Sequence, residues 1–280
     1  MAVVGAGRMG AGLGLALSRR GHDVTHLVRS DRPAPEGVGL SVGTSAWSRV
    51  VAEASVVLIA TPDSAISQVA AALRELGAVR PSHVVLHLSG LHDRTALAAL
   101  EGADAALGSL HPLQAVSDPH TAPARLHGAF AGVEGDDRAM ACAERLARAA
   151  GMTPVRLPPG TKAGYHAAAA MTSNLTVALH ALALRVAERA GVPAESAGSM
   201  YFGLLRGTVD NLEGRDPAAA LTGAIRRGDA ATVRAHLAAL RDDEREVYRL
   251  LGREALRLAQ RAGLATAAAE EIRRLLGEAS

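Results

Sequence analysis

The sequence predicts an α/β protein: a doubly wound, mainly parallel sheet in the first half, followed by an all-α second half. Three observations predict it. Short β-type runs alternate with helical stretches up to about residue 157. A glycine motif joins the first strand to the first helix. After Pro158-Pro159-Gly160 no stretch reads as a strand. Strands alternating with helices build a parallel sheet covered on both faces, and the change of texture sets domains at 1–158 and 159–280.

The elements follow in order. AVVGAG (2–7) is a strand running into a glycine turn, and residues 8–20 have helical spacing up to Gly21. DVTHLVRS (23–30), SVVLIATPD (55–63) and HVVLHLSG (83–90) are the next strands, with a helix over 64–76. AALGSLHPLQ (105–114), AFAGVEG (129–135) and MTPVRL (152–157) are further strand candidates, and 136–150 reads as a helix. Helical patterns then cover 161–190, 194–212, 217–225, 229–261 and 264–278, punctuated by glycine and proline.

Composition narrows the function. The 280 residues are 49% hydrophobic but only 2% aromatic, so Ala, Leu and Val must build the core. Charges of both signs are interspersed and the formal net charge is +2, which leaves no stripe for nucleic acid. Cys142 is the single cysteine, so no internal disulfide forms, and no Cys/His spacing suits a metal; a reducing, cytoplasmic setting is expected. The N-terminus lacks the basic segment of a signal peptide. Ala167–Leu184 is apolar enough for a membrane span, but Thr172, Ser173, Asn174, Thr176 and His180 interrupt it, so it reads as a buried helix and no membrane partner is expected.

Gly5-Ala6-Gly7-Arg8-Met9-Gly10 matches G-x-G-x-x-G between a strand and a helix, the Rossmann-like dinucleotide context. Gly5 permits the turn, Gly7 lets the backbone approach a pyrophosphate at the helix N-terminus, and Gly10 allows close packing of helix on strand. At the end of the second strand Arg29 and Arg32 can clamp a 2′-phosphate with Ser30 as a donor, which selects NADP(H); Asp31 leaves NAD open. Thr61-Pro62-Asp63 and Ser89-Gly90 follow the third and fourth clear strands, where backbone groups line the ribose and nicotinamide.

The remaining chemistry lies further on. His111, fixed at a strand end by Pro112, can hydrogen-bond a substrate oxygen, as can Gln114. Lys162 is the only lysine among 30 basic residues. At 100° per residue Lys162, His166, Ala169 and Ser173 share a helical face, with Asn174 about a quarter-turn away. Near a helix start, burial and the dipole push a lysine pKa down, and arginine cannot give up its proton in that way. A proton donor or acceptor therefore explains why one lysine stands in an arginine-rich chain.

GAGRMG, GSLHPLQ, KAGYHAAAAMTSN and LTGAIRRGD together resemble the two-domain proteins that join a Rossmann-like half to a DUF2520 domain, over essentially the whole chain. The wider group is similar to the 6-phosphogluconate dehydrogenase-like superfamily, including pyrroline-5-carboxylate, ketopantoate and imine reductases and the coenzyme F420-dependent NADP reductases. The resemblance implies an NADP(H)-dependent oxidoreductase acting on a small carbonyl, imine or alcohol in the interdomain cleft, and a homodimer formed through the helical domain. Lys162 resembles the lysine that opens the first helix after the Rossmann domain in hydroxyacid dehydrogenases; His166 stands where they carry asparagine. On this reading Lys162 moves the proton, His166 and His111 orient the reacting group, and Asn174 binds substrate. A dinucleotide-binding sensor or partner module without catalysis, and a deazaflavin as hydride partner, are the alternatives.

Overall fold

The computed structural model describes residues 1–28, 35 and 40–277. They fall into two compact units, Met1–Ser173 and Asn174–Ser280. The first contains β1 (Ala2–Val4), α1 (Arg8–Ser18), β2 (Thr25–Leu27), β3 (Leu40–Val42), α2 (Trp47–Glu53), β4 (Val56–Ile59), α3 (Ile66–Glu75) and β5 (Val84–His87). A 3₁₀ helix (Arg94–Ala103) follows, then β6 (Ala106–Leu113), α4 (Ala122–Leu126), β7 (Phe130–Gly135), α5 (Asp137–Ala149), β8 (Thr153–Arg156) and α6 (Lys162–Thr172).

The strands form one eight-stranded sheet in the order β3-β2-β1-β4-β5-β6-β7-β8. Every neighbouring pair is parallel except β6 with β7. Alternate residues of each central strand enter opposite cores. Val3, Leu58, Val84 and Leu86 join one apolar cluster, whereas Ala2, Val4, Val57, Ile59 and Val85 join the other. Burial on both faces explains why these strands read as unbroken apolar runs. The chain direction across the sheet reverses between β1 and β4, and the crevice at such a point is where ligands of open α/β sheets bind.

Every strand expected from the sequence is present, so the α/β reading holds. The elements it lacked are β3, α2, α4 and the 3₁₀ helix, all short or without clear periodicity. The 3₁₀ helix is capped by Asp93, whose side chain accepts from the Thr95 backbone N–H.

The second unit is helical throughout its described residues: α7 (Asn174–Arg189), α8 (Ala194–Leu212), α9 (Pro217–Ala220), α10 (Ala224–Arg227), α11 (Ala230–Ala239), α12 (Asp242–Arg261) and α13 (Thr266–Leu275). Three long helical stretches of the sequence divide. Residues 161–190 become α6 and α7, 217–225 become α9 and α10, and 229–261 become α11 and α12. The last break has a readable cause. Leu240 and Arg241 are extended, and Asp242, Asp243 and Glu244 place negative charge in the first turn of α12, where the dipole favours it. The Glu244 carboxylate also accepts from the Arg241 N–H at 2.9 Å and pairs with Arg189.

Val233, Leu237, Leu256, Ala269, Ile272 and Leu276 form a small core in this unit. The burial expected for Ala167–Leu184 is not met within the described residues. The run Lys162–Arg189 is long and apolar enough to cross a membrane by length and composition, and none of its most apolar 18-residue window is buried within the chain. On α12, Gly252, Leu256 and Ala259 are buried, while Leu250 and Leu251 are exposed. An apolar cavity of about 520 Å³ opens within the unit, walled by Leu182, Val186, Tyr201, Leu240, Val247 and Tyr248 among others.

The antiparallel β6–β7 pair depends on two facing glycines. Gly135 pairs with Gly108, has φ +140°, and a Cβ on it would lie 2.5 Å from both the Gly108 Cα and the Leu107 carbonyl oxygen. Backbone cannot retreat as a flexible side chain can, and the φ disfavours any L side chain. Gly135→Ala is expected to cost about 2–4 kcal/mol in chemical denaturation; a loss below about 0.5 kcal/mol would show that the pair tolerates separation.

Candidate functional site

The glycine loop has the geometry its sequence requires. Gly5 has φ +103°, and a Cβ there would meet the Ala60 carbonyl oxygen at 2.8 Å, so the loop lies directly against the end of β4. A Cβ on Gly10 would lie 2.6 Å from the Ala60 Cβ, which accounts for glycine inside α1. A Cβ on Gly7 would meet nothing within 4 Å, so the backbone here faces open space. Gly7 is also the N-cap of α1 and offers no side-chain cap, leaving first-turn N–H groups for an anion. Arg8 is exposed, and Met9 packs against the apolar cluster. Beneath the loop, His26 is fully buried and its Nδ1 lies 3.3 Å from the Gly5 carbonyl. A carbonyl only accepts, so this nitrogen carries the proton; burial lowers the His26 pKa, in keeping with a neutral ring.

A cavity of about 960 Å³ opens beside the loop, with Gly5, Ala6, Gly7, Trp47, Thr61 and Pro62 in its wall. The Thr61 Oγ1 and Trp47 Nε1 are buried without a hydrogen-bond partner among the described residues. A glycine cradle, an uncapped helix start and these orphaned groups fit a dinucleotide. Asp63 opens a short 3₁₀ turn after Pro62 and is exposed. Arg29, Ser30 and Arg32 lie outside the described residues, as does Asp31.

Two strands further along, the ends of β5 and β6 hold the lysine. Lys162 is the first residue of α6, yet its side chain is only 2% exposed. Its Nζ donates to the Ser89 carbonyl at 2.6 Å and to the Ser109 Oγ at 2.8 Å. Burial pulls its pKa down to about 8, against the opposing pull of the Glu134, Asp93 and Asp63 carboxylates.

Ser89 and Gly90 belong to this lysine cluster. The Ser89 Oγ accepts from the backbone N–H groups of Leu91 and His92, both at 3.1 Å, which fixes the turn that presents its carbonyl. The Ser89 N–H donates to the His87 Nδ1 at 3.2 Å, so the His87 Nε2 carries the proton and donates to the Asp93 carbonyl at 3.0 Å. Gly90 is the floor under two imidazoles: a Cβ on it would lie 2.4 Å from the His166 Nδ1 and 2.8 Å from the His111 Nε2.

The structure brings His111 and His166 together, with ring centroids 5.7 Å apart, edge to face. His111 Nδ1 shares a 2.9 Å hydrogen bond with the Tyr165 hydroxyl. Burial, then the Lys162 charge, pushes the His111 pKa down to about 4, so its ring is neutral at physiological pH. The His166 Nδ1 is buried and has no hydrogen-bond partner among the described residues. Gln114 is occupied locally: its amide nitrogen donates to the Arg125 carbonyl and its oxygen accepts from the Ala115 N–H. Asn174 is exposed and opens α7 in the second unit. Among the described residues no group of three or more His, Cys, Asp or Glu is placed to hold a metal ion.

The family models match both halves of the chain, a Rossmann-like domain at residues 1–112 and a domain of unknown function, DUF2520, at residues 129–255. The chain thus carries a Rossmann-like match followed by a DUF2520 match. Comparison with curated proteins gives no significant match. Among solved structures it is similar to the putative NADP oxidoreductase BF3122 from Bacteroides fragilis, with 21% identity, TM-score 0.68, and coverage of 91% of this chain and 96% of that one. Protein TM1727 from Thermotoga maritima matches with 22% identity, TM-score 0.71, and coverage of 93% and 98%. Pyrroline carboxylate reductase from Plasmodium falciparum, solved with NADP bound, matches with 9% identity, TM-score 0.60, and coverage of 99% and 97%. At these identities the likeness is one of fold.

Sequence reasoning did not find His87, Ser109, Glu134 and Tyr165. Each left a signal. His87 and Ser109 are polar residues inside strand runs otherwise apolar, Glu134 is the one charge in AFAGVEG, and Tyr165 is one of only three tyrosines. The neutral state of His87 has a pH signature. Burial pushes its pKa to about 4, below the unfolded value of 6.5. The unfolded chain therefore binds the proton first, so stability is retained above pH 6.5 and falls as pH drops from 6.5 towards 4. Denaturation across this window should show that slope, and His87→Gln should flatten it by about one proton. An unchanged slope would mean that His87 titrates normally.

Proposed function

We propose that this protein is an NADP(H)-dependent oxidoreductase acting on a small carbonyl, imine or alcohol. The observation that carries the reading is Lys162, a buried amine with a pKa near 8, held at the ends of β5 and β6, two strands along the sheet from the glycine loop. A nicotinamide dinucleotide in the loop supplies or accepts the hydride. Gly5, Ala6 and Gly7 with the first turn of α1 hold its pyrophosphate, and Thr61 and Pro62 line its course. The NADP preference rests on Arg29, Ser30 and Arg32 in the sequence. The names of the similar structures, an NADP oxidoreductase and an NADP-bound reductase, support the general reading at the level of fold.

Lys162 has three N–H donors when charged, and two are held by Ser89 and Ser109. The third is available to a substrate oxygen or nitrogen. With a pKa near 8 the amine is mostly charged at neutral pH yet gives up a proton at moderate cost, the range suited to a general acid. His111, neutral and fixed by Tyr165, and His166, with its free Nδ1, orient the reacting group. A binding module without chemistry has no need to bury its single lysine. The unpaired, buried Cys142 is compatible with the cytoplasm.

Lys162→Arg decides this reading. NADPH-dependent reduction of a responsive carbonyl or imine should fall at least about a hundredfold, with NADPH affinity by calorimetry within about threefold of wild type. Turnover near normal would remove Lys162 from the mechanism.

The exposed faces of the helical unit support a homodimer as the working form. Val177, Phe202 and Leu204 are 70%, 60% and 67% exposed, and Met200, Val209 and Leu250 are open as well. So much exposed apolar surface favours association. Light scattering should give twice the chain mass, and Phe202→Asp should shift the protein towards monomer. A monomeric wild type at micromolar concentration would contradict it.

A further inference from the structure

Glu134 is buried in the sheet, 6% exposed, on a strand whose neighbouring residues Ala131 and Val133 are fully buried and apolar. No described arginine or lysine side chain forms an ion pair with it. Its Oε2 accepts from the Arg94 N–H at 3.0 Å, at the start of the 3₁₀ helix. The same oxygen faces the Ser109 Oγ at 3.5 Å. Strand register explains the approach, since Ser109 and Glu134 are directly paired across β6 and β7. A buried carboxylate costs several kcal/mol unless a charge or donors answer it.

The Ser109 hydroxyl resolves this arrangement. Its oxygen accepts from the Lys162 Nζ at 2.8 Å, so its hydrogen must be donated elsewhere, and the Glu134 Oε2 is the acceptor opposite. The hydroxyl stands between ammonium and carboxylate, accepting from the first at 2.8 Å and donating to the second over a long 3.5 Å contact. Both ends are buried; burial raises the Glu134 pKa, and the Arg94 N–H and then the Lys162 charge oppose that rise. The Lys162 ammonium is thereby aimed, with two of its donors held and one left free.

We infer that Glu134, acting through Ser109, is a positioning residue that keeps Lys162 charged and oriented as the proton donor of the site. The inference rests on the proposed role of Lys162, but its electrostatic half stands without any substrate. The Glu134 carboxylate is the largest influence that raises the Lys162 pKa against burial. Removing the charge should therefore let that pKa fall.

The single lysine makes the test direct. Protein labelled with ¹³Cε-lysine gives one lysine resonance, followed through pH without turnover or ligand. Wild type should titrate near pH 8, and Glu134→Gln, which keeps an acceptor for the Arg94 N–H, should titrate lower by about half a unit or more. Ser109→Ala should lower it too, and in the double variant the shifts should fall short of their sum. If a carbonyl reductase assay is in hand, the alkaline limb of kcat/KM should move down with the resonance in Glu134→Gln. An unmoved midpoint in Glu134→Gln, or strictly additive shifts, would overturn the inference. Should Glu134→Gln fail to fold, an unmoved midpoint in Ser109→Ala overturns it alone. A lowered midpoint in an enzyme that turns over without Lys162 would keep the pairing and remove only the catalytic role.

Discussion

The structure of the site depends on one buried ammonium. Taking Lys162 out of water is unfavourable, and its retention requires compensating groups on several elements at once. The Ser89 carbonyl comes from the turn after β5, the Ser109 hydroxyl from β6, and the Glu134 carboxylate from β7. That turn is itself built by Ser89 and His87, which ties the lysine to the start of the 3₁₀ helix through Asp93. Arginine fits none of this well: its planar head is larger, and it does not release a proton near neutral pH. The compositional oddity of a lone lysine thus has a chemical cause within the packing.

The sheet sets the scale of the site. The glycine loop follows β1, Thr61 follows β4 and Ser89 follows β5, three adjacent strands whose carboxyl ends share one edge. Two strand spacings, about 10 Å, separate the first from the last. A dinucleotide held by its pyrophosphate at β1 therefore has its nicotinamide half within reach of the Lys162 cluster. Glycine permits each close approach along the way: Gly5 and Gly10 against Ala60, and Gly90 under His111 and His166.

Much of this was legible in the sequence. The glycine loop was readable because its geometry needs particular residues at fixed spacing, and the buried parallel strands were readable as apolar runs. Lys162 was singled out by its rarity, and His111 and His166 by position. What stayed hidden depended on contacts between distant segments. Ser109 and Glu134 are 25 residues apart and meet only through the β6–β7 register. The 3₁₀ helix carries no strong period, and its N-terminus matters because Glu134 lands on it. Gln114 looked available from its sequence position, but its own backbone neighbourhood had already taken its amide. The apolar run after Lys162 has a core-like composition and is nevertheless open within one chain, because composition does not say which molecule covers a surface.

The central claim is that one bound dinucleotide reaches from the glycine loop to Lys162. The most direct test follows the single lysine resonance of ¹³Cε-labelled protein during titration with NADP⁺ and, separately, with 2′,5′-ADP, which carries only the adenosine half. The account predicts that NADP⁺ moves the Lys162 signal while saturating 2′,5′-ADP leaves it in place. A signal indifferent to saturating NADP⁺, or shifted equally by both, would contradict it.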